Sequence, residues 1–347
     1  MADSLFNYRI GTQKLLNFLG KDNPSYRVVA SYEVQLLDNI RSAESFGDTE
    51  TLRHERRRIL SSLSDFSLKE TNRKFVSFCK PDPIQVSSIS ESYIEETSFR
   101  EPEMCFVPKS IFIMGSPSDL DANSFEDEYP LHAISLPSYY IASTAVTNLQ
   151  YAFFLVDTNY EQGPPKHWKG KFPSQQIYNH PVVCITLHDA VFFCNWLSNI
   201  TQKAYRLPTE AEWEKAARGE HGLLFPWGNV WMPSFANTSE LGKRSTVSVD
   251  AFQDSISPYG LLNSAGNIYE WTCSLWGMSR KEAKYIYPYT PNRDRESQNP
   301  HSNMFVVIRG GSFLKDQKYA RCASRDKLLP SNIRRDLGFR LALSSLV

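Results

Sequence analysis

The sequence predicts an α+β chain, a small helical bundle followed by a loop-rich domain, and three features carry that prediction. Residues 26–40 set Val29, Tyr32, Leu36, Leu37 and Ile40 on one helical stripe. Residues 81–103 are polar, rich in proline, serine and acids, and show no apolar period. Beyond Ala217 the chain becomes short strand-like runs between loops full of Gly, Trp and Tyr. A length of 347 residues suits two domains, taking roughly 150 residues for each. The division expected is a helical module over 1–80, a linker over 81–103 and a second domain over 104–347.

In the first part, Gly47-Asp48-Thr49 reads as a turn, with Asp48 or Thr49 capping the helix that follows. That helix carries Leu52, Ile59, Leu60, Leu63 and Phe66 on one side and the run Arg53 to Arg58 on the other. A last short helix is expected over Thr71–Cys79, burying Phe75 and Phe78. The basic run sits among Asp48, Glu50, Glu55 and Asp65, so a solvated face explains it better than a nucleic-acid patch. Basic and acidic residues number 38 each, which argues against a polyanion-binding protein as a whole. The start, MADSLFNYRIGTQ, lacks the basic and apolar regions of a signal peptide, and no apolar run is long enough for a membrane span. Six cysteines without CxxC spacing, in a chain this long, read as reduced thiols of a cytoplasmic protein.

The second part opens with strand signals at Cys105–Val107 and Ser110–Met114, then an alternating strand through His132, Ile134 and Leu136. Three helices are expected next. The first is capped by Thr147 or Asn148 and buries Tyr151, Phe154 and Leu155; the second opens on Asp189 as its cap. In the third, Thr209 caps and Glu212 completes a capping box. Aromatic residues make up 13% of the chain, and in a loop-rich domain the indoles supply core that regular structure does not.

The stretch SPYGLLNSAGNIYEWTCSLW, ending at Trp276, holds Gly260, Asn263, Gly266, Asn267 and Glu270. It has too many glycines for a helix and no strand alternation, so a tightly wound loop is expected. Amide oxygens, carbonyls and a carboxylate on such a loop are the donors a hard cation such as calcium takes. A glycine-rich turn holding Trp271 and Trp276 over a core, without an ion, fits the same residues.

That stretch stands with FIMGS near Phe112, RLPTEAEWEKAARG (Arg206–Gly219), FPWGN (Phe225–Asn229), RGGSF (Arg309–Phe313) and DLGFRLAL (Asp336–Leu343). In this order they resemble the formylglycine-generating-enzyme, or sulfatase-modifying factor, domain, a variant of the C-type-lectin fold. The resemblance covers roughly the last two thirds of the chain. It implies a calcium site of Asn263 and Glu270 side chains with the carbonyls of Ser264, Gly266 and Ile268. A weaker second site would use Asn237, Thr238 and Glu240, since Leu241 stands where a carboxylate belongs. It also implies a copper(I) site of two cysteines after the GGSF run, and soft thiolates are what that ion needs. Here Lys315 occupies the first position and the second has no counterpart, so no copper is expected. Two disulfides implied for secreted members are excluded, because Cys322 and Cys194 face Ala217 and Leu341 at the partner positions.

Residues 32–79 are similar to helical recruitment modules that precede caspase-like, TIR or ATPase domains in bacterial defence and signalling proteins. The combined reading is a non-catalytic adaptor. Residues 1–80 would recruit a protein partner, and the second domain would bind an unknown ligand through Trp276, Lys315, Asp316, Gln317, Lys318 and Tyr319. Nucleic acid and membrane are not expected as partners. Two alternatives stay open: an oxidase of the formylglycine-generating type with an unorthodox site, and a variable ligand-binding protein of a diversity-generating retroelement.

Overall fold

The computed structural model describes residues 26–46, 50–71 and 99–344, apart from 118–123, 159, 161, 169 and 292–293, together with positions 12, 15, 16, 19 and 23. The chain divides into two compact units, residues 1–85 and 86–347.

In the first unit, helix α1 (Tyr26–Phe46) lies against helix α2 (Glu50–Thr71). Their apolar stripes meet: Val29 and Leu36 of α1 are buried with Ile59 and Leu63 of α2, alongside Leu15 and Leu16. One polar group enters this contact. Asn39 is buried, and its amide nitrogen donates to Leu52 O and to Glu55 at 2.9 Å, which satisfies it. The turn expected at 47–49 and the helix expected over Thr71–Cys79 lie outside the described residues, Thr71 excepted, which ends α2.

Among the described residues the second unit carries three sheets. Strands β1 (Met104–Val107), β4 (Tyr139–Ala142), β10 (Ala342–Ser344) and β5 (Tyr205–Arg206) form one, all antiparallel, in that order. Strands β2 (Ser110–Met114) and β3 (His132–Leu136) pair as a ribbon. The third sheet runs β8 (Asp326–Leu328), β7 (Phe305–Arg309), β6 (Tyr269–Gly277) and β9 (Leu337–Phe339), with β6 and β9 parallel. The predicted linker reaches into this unit at its end. Phe99 packs edge-on against Phe153 and Trp196, and Glu101 accepts from Lys203 and Tyr205.

Helix α3 (Asn148–Thr158) is capped by Thr147, whose hydroxyl accepts from Gln150 N while the Gln150 side chain accepts from Thr147 N. Helix α4 (Leu187–Thr201) starts two residues earlier than the sequence suggested. Thr186 is its cap and Asp189 closes the box from the third position, so the aspartate reaches back instead of leading. Helix α5 (Glu210–Arg218) has the cap expected, Thr209 with Glu212.

The wound loop expected through Trp276 ends earlier. Residues 269–277 are strand β6, and all nine are buried. A strand covered on both faces has no polar side to alternate, which is why its period was invisible in the sequence. Trp271 and Trp276 are thereby core residues, as is Trp213.

Every residue of α5 is buried, including Glu210 and Glu214. Glu214 accepts from Arg309 at 2.8 Å, Arg218 at 2.7 Å and Gly115 N at 2.8 Å. Glu210 takes two bonds from Arg325, one from Arg309, and lies 3.5 Å from Arg295. Burial by itself would raise the Glu210 carboxyl, but Arg325, Arg309 and Arg295 outweigh it and hold the group below the usual carboxylate range. Removing one partner from such a cluster strands an opposite charge in a dry interior. Glu214→Gln is therefore expected to cost about 3–5 kcal/mol of stability, seen as an earlier urea midpoint. A midpoint unchanged from the parent would contradict it.

At the edge of this cluster, Glu296 accepts from Ser274 Oγ at 2.6 Å and from the Tyr289 hydroxyl. Burial pushes its carboxyl from 4.5 to about 7, against the opposing hydrogen bonds of Ser274 and Tyr289. A carboxyl raised in the fold binds its proton more tightly there than in the unfolded chain. Its contribution is thus complete below pH 4.5 and fades as the pH rises to about 7. Stability should decline across that window, and Glu296→Gln should flatten the decline. Equal slopes for parent and variant in pH-resolved urea titrations would refute this assignment.

Candidate functional site

Two loops carry most of the residues singled out in the sequence. The first, residues 258–268, is wound by Gly260, Asn263, Gly266 and Asn267, all at positive φ. At Gly266 a Cβ would lie 2.6 Å from Asn237 O, so no other residue fits the close approach. The amide nitrogen of Asn263 donates to Val249 O and Ala251 O at 2.8 and 3.1 Å. Those two carbonyls fix which way the amide faces, and they leave Asn263 Oδ1 buried without a partner. Ser264 Oγ is buried and unpartnered in the same way.

The rest of the predicted calcium set is less open. The Gly266 carbonyl accepts from Ile268 N at 2.9 Å. Glu270 points both oxygens at Arg340, at 2.6 and 2.8 Å, and one also accepts from Trp213 Nε1 at 2.6 Å. The guanidinium of Arg340 reaches on to the carbonyls of Ala142, Ser143 and Leu262, which ties β4, β6 and the wound loop together. At the second predicted site, Asn237 bonds through its amide nitrogen to Ser245 O and Asn267, while its own Oδ1 is buried and unpartnered. Thr238 is buried beside it. The Glu240 carboxylate, within reach of the Thr238 hydroxyl, accepts from Gln317 N at 2.8 Å and so anchors the second loop.

That second loop follows β7. Gly310 and Gly311 turn the chain at positive φ, and a Cβ on Gly311 would meet Tyr319 O at 2.7 Å. Asp316 caps a short 3-10 turn, Gln317–Ala320, by accepting from Lys318 N. Backbone bonds from Ser239 N to Lys315 O and from Lys315 N to Ser312 O fix the rest. The result is a cleft of 230 Å³ with Lys315 and Tyr319 in its wall. Asp316 and Gln317 are exposed at the loop's turn. Trp276 is no surface residue: it is 2% exposed, and Lys327 and Arg325 stand over its ring at 3.9 and 5.0 Å.

The cleft also gathers residues that the sequence did not single out: Phe125, Asp127, Arg280, Arg325, Asp326 and Lys327. They come from three separated segments, and no spacing signal links them. Lys327 pairs with Asp127 at 3.0 Å and Arg280 with Asp326 at 3.1 Å. Lys315 rests over the Tyr319 ring at 4.5 Å, and Lys318 over Phe125 at 4.2 Å. Among the described residues no cysteine lines the cleft. Cys322, just beyond the turn, is buried against Trp213 and Ala217, and burial pushes its thiol up to about 12. Cys194 and Leu341 share the main core. Among the described residues no group of three His, Cys, Asp or Glu side chains is placed to hold a metal ion, and no helix is long and apolar enough to cross a membrane.

Comparison with known proteins agrees with this architecture. Residues 90–345 match the Sulfatase-modifying factor enzyme 1-like domain family. The formylglycine-generating enzyme of Mus musculus is 35% identical over 185 residues, 48% of this chain and 45% of the mouse protein. That of Thermomonospora curvata is 30% identical over 300 residues, covering 70% of this chain and 94% of its own. Among solved structures, PvdO from Pseudomonas aeruginosa superposes with a TM-score of 0.57 at 26% identity, over 74% of this chain and 98% of PvdO. Treponema denticola variable protein 1 shares the fold, with a TM-score of 0.55 at 23% identity over 70% of this chain and 94% of that one. With a match spanning residues 90–345, the chain belongs to the sulfatase-modifying factor enzyme 1-like family.

Proposed function

We propose that this chain is a non-catalytic recognition protein, in which residues 1–80 engage a protein partner and the second domain binds a ligand in the cleft beside Lys315. One observation carries the reading. Lys315 stands at the position where the family's first copper thiolate is implied, and its ammonium lies on the Tyr319 ring in a cleft that no cysteine lines among the described residues. An ammonium carries no lone pair for a soft metal, so these residues do not fit copper(I). The one cysteine that follows, Cys322, is buried with a thiol that resists ionisation. What remains is a rigid frame presenting aromatic and charged side chains, the composition of recognition surfaces.

The oxidase reading draws on the names of the relatives, formylglycine-generating enzymes of Mus musculus and Thermomonospora curvata. The two are separated by supplying copper(I), oxygen and a cysteine-containing sulfatase peptide to the full chain. The expectation is no oxygen uptake above the protein-free control and no mass change of the peptide. Formylglycine in the peptide would end the recognition reading.

Calcium fits this chain in part. Asn263 Oδ1 and Ser264 Oγ are buried oxygens awaiting a partner, and a hard cation takes such donors together with carbonyls such as that of Ile268. Glu270 fits poorly, because a guanidinium at 2.6 Å already neutralises it. The ion's role would be to pin the wound loop. Millimolar calcium is then expected to raise the melting temperature by a few degrees over a chelator-treated sample, and Asn263→Ala to abolish the difference. Equal melting temperatures in calcium and chelator would leave the loop held by hydrogen bonds alone. The location favoured is the cytoplasm, since Cys194, Cys273 and Cys322 are buried as free thiols.

A further inference from the structure

We infer that the cleft beside Lys315 takes an oxyanion carried by a peptide, an acidic or phosphorylated side chain; the inference rests on the recognition reading above. The argument is one of charge. Four cations, Arg280, Lys315, Arg325 and Lys327, line the cleft against two carboxylates, Asp127 and Asp326. Both carboxylates are already engaged, Asp127 by Lys327 and Asp326 by Arg280. Arg325 is engaged from behind by Glu210. Lys315 has an aromatic ring for a neighbour and no carboxylate within ion-pair distance among the described residues.

Beneath the wall, Glu210 and Glu214 are already spent on Arg218, Arg295, Arg309 and Arg325. Lys315, with a ring for its neighbour, therefore leaves positive potential in a concave wall, which focuses it. The donors to use that potential are present. Arg325 spends three of its five N–H groups on Glu210 and Asp127 O, and it lines the cleft. Lys315 and Lys327 are steadied by the rings of Tyr319 and Trp276, which hold an ammonium in place without occupying its hydrogens.

The form of the cleft selects the carrier. At 230 Å³ it has room for one side chain and its neighbouring backbone. A polyphosphate backbone laid across it would meet Asp127 and Asp326, whereas a single anion entering beside Lys315 would not. The Phe125 and Tyr319 rings, 5.1 Å apart, give the peptide an apolar edge to lie on.

The test is fluorescence anisotropy with the full chain and three fluorescein-labelled peptides, Gly-Tyr-X-Gly with X as Glu, phosphoserine or Gln. At least one charged peptide is expected to bind saturably, with affinity falling as salt rises, while the Gln peptide binds at least about tenfold more weakly. The tighter of the two charged peptides tells an acidic ligand from a phosphorylated one. Lys315→Glu should weaken binding by at least about tenfold. Lys203→Glu, whose partner is Glu101 on another sheet's flank, should leave it unchanged. Lys327→Gln is the second cleft variant and should weaken binding in the same direction. Equal binding of the Gln peptide, no binding of either charged peptide at low salt, or an unaffected Lys315→Glu overturns the anion assignment. Those results leave the recognition reading standing, which fails separately if the peptide-oxidation assay yields formylglycine.

Discussion

Burying two carboxylates on one helix is the constraint around which the second unit is arranged. Glu210 and Glu214 sit one turn apart on α5, a nine-residue helix with no exposed side. Left alone in that interior, each would be neutralised or expelled. Arg309 at the end of β7, Arg325 before β8 and Arg295 in the preceding loop converge on them from three separated points of the chain. Each guanidinium also reaches backbone carbonyls, Arg309 those of Cys322 and Ser324, Arg325 that of Asp127. An ionic centre of this kind contributes less to net stability than apolar packing would, but it dictates which segments must meet. It holds the loop after β7 at one distance from β8, and that distance is the cleft.

A second ionic tie does the same for the wound loop. Glu270 and Arg340 are both buried, and Arg340 reaches the carbonyls of Ala142, Ser143 and Leu262. The register explains the geometry: Glu270 lies opposite Arg309 on one side and beside Gly338 on the other. At Gly338 a Cβ would come within 2.3 Å of Val182 O. The small residue lets β9 pass close to the Val182 carbonyl and the Ile268 side chain while paired with β6, and the arginine two positions on reaches Glu270. The loops of this domain have little secondary structure of their own, so buried ion pairs replace the sheet ladder that would otherwise fix them.

Much of this was legible in advance because it is local. The box of Thr209 and Glu212 lies within four residues, and so does the turn at Gly266, where the backbone bends as only glycine permits. Where the reading slipped, a competing local signal was at fault. Asp189 looks like a cap until Thr186 is seen to take that place and use the aspartate as its reciprocal partner. Strand β6 looks like a loop because burial on both faces erases the alternation by which strands are recognised.

Residue identity within a short window was enough for the helix caps, the apolar stripes and the family frame. Only the tertiary structure decided which charges are spent and which remain. Asp127, Arg280 and Lys327 are separated by up to 200 positions yet share one wall, where two of the three cancel and Lys315 is left over. Electrostatic balance is a sum over distances in space, and a linear chain records none of those distances.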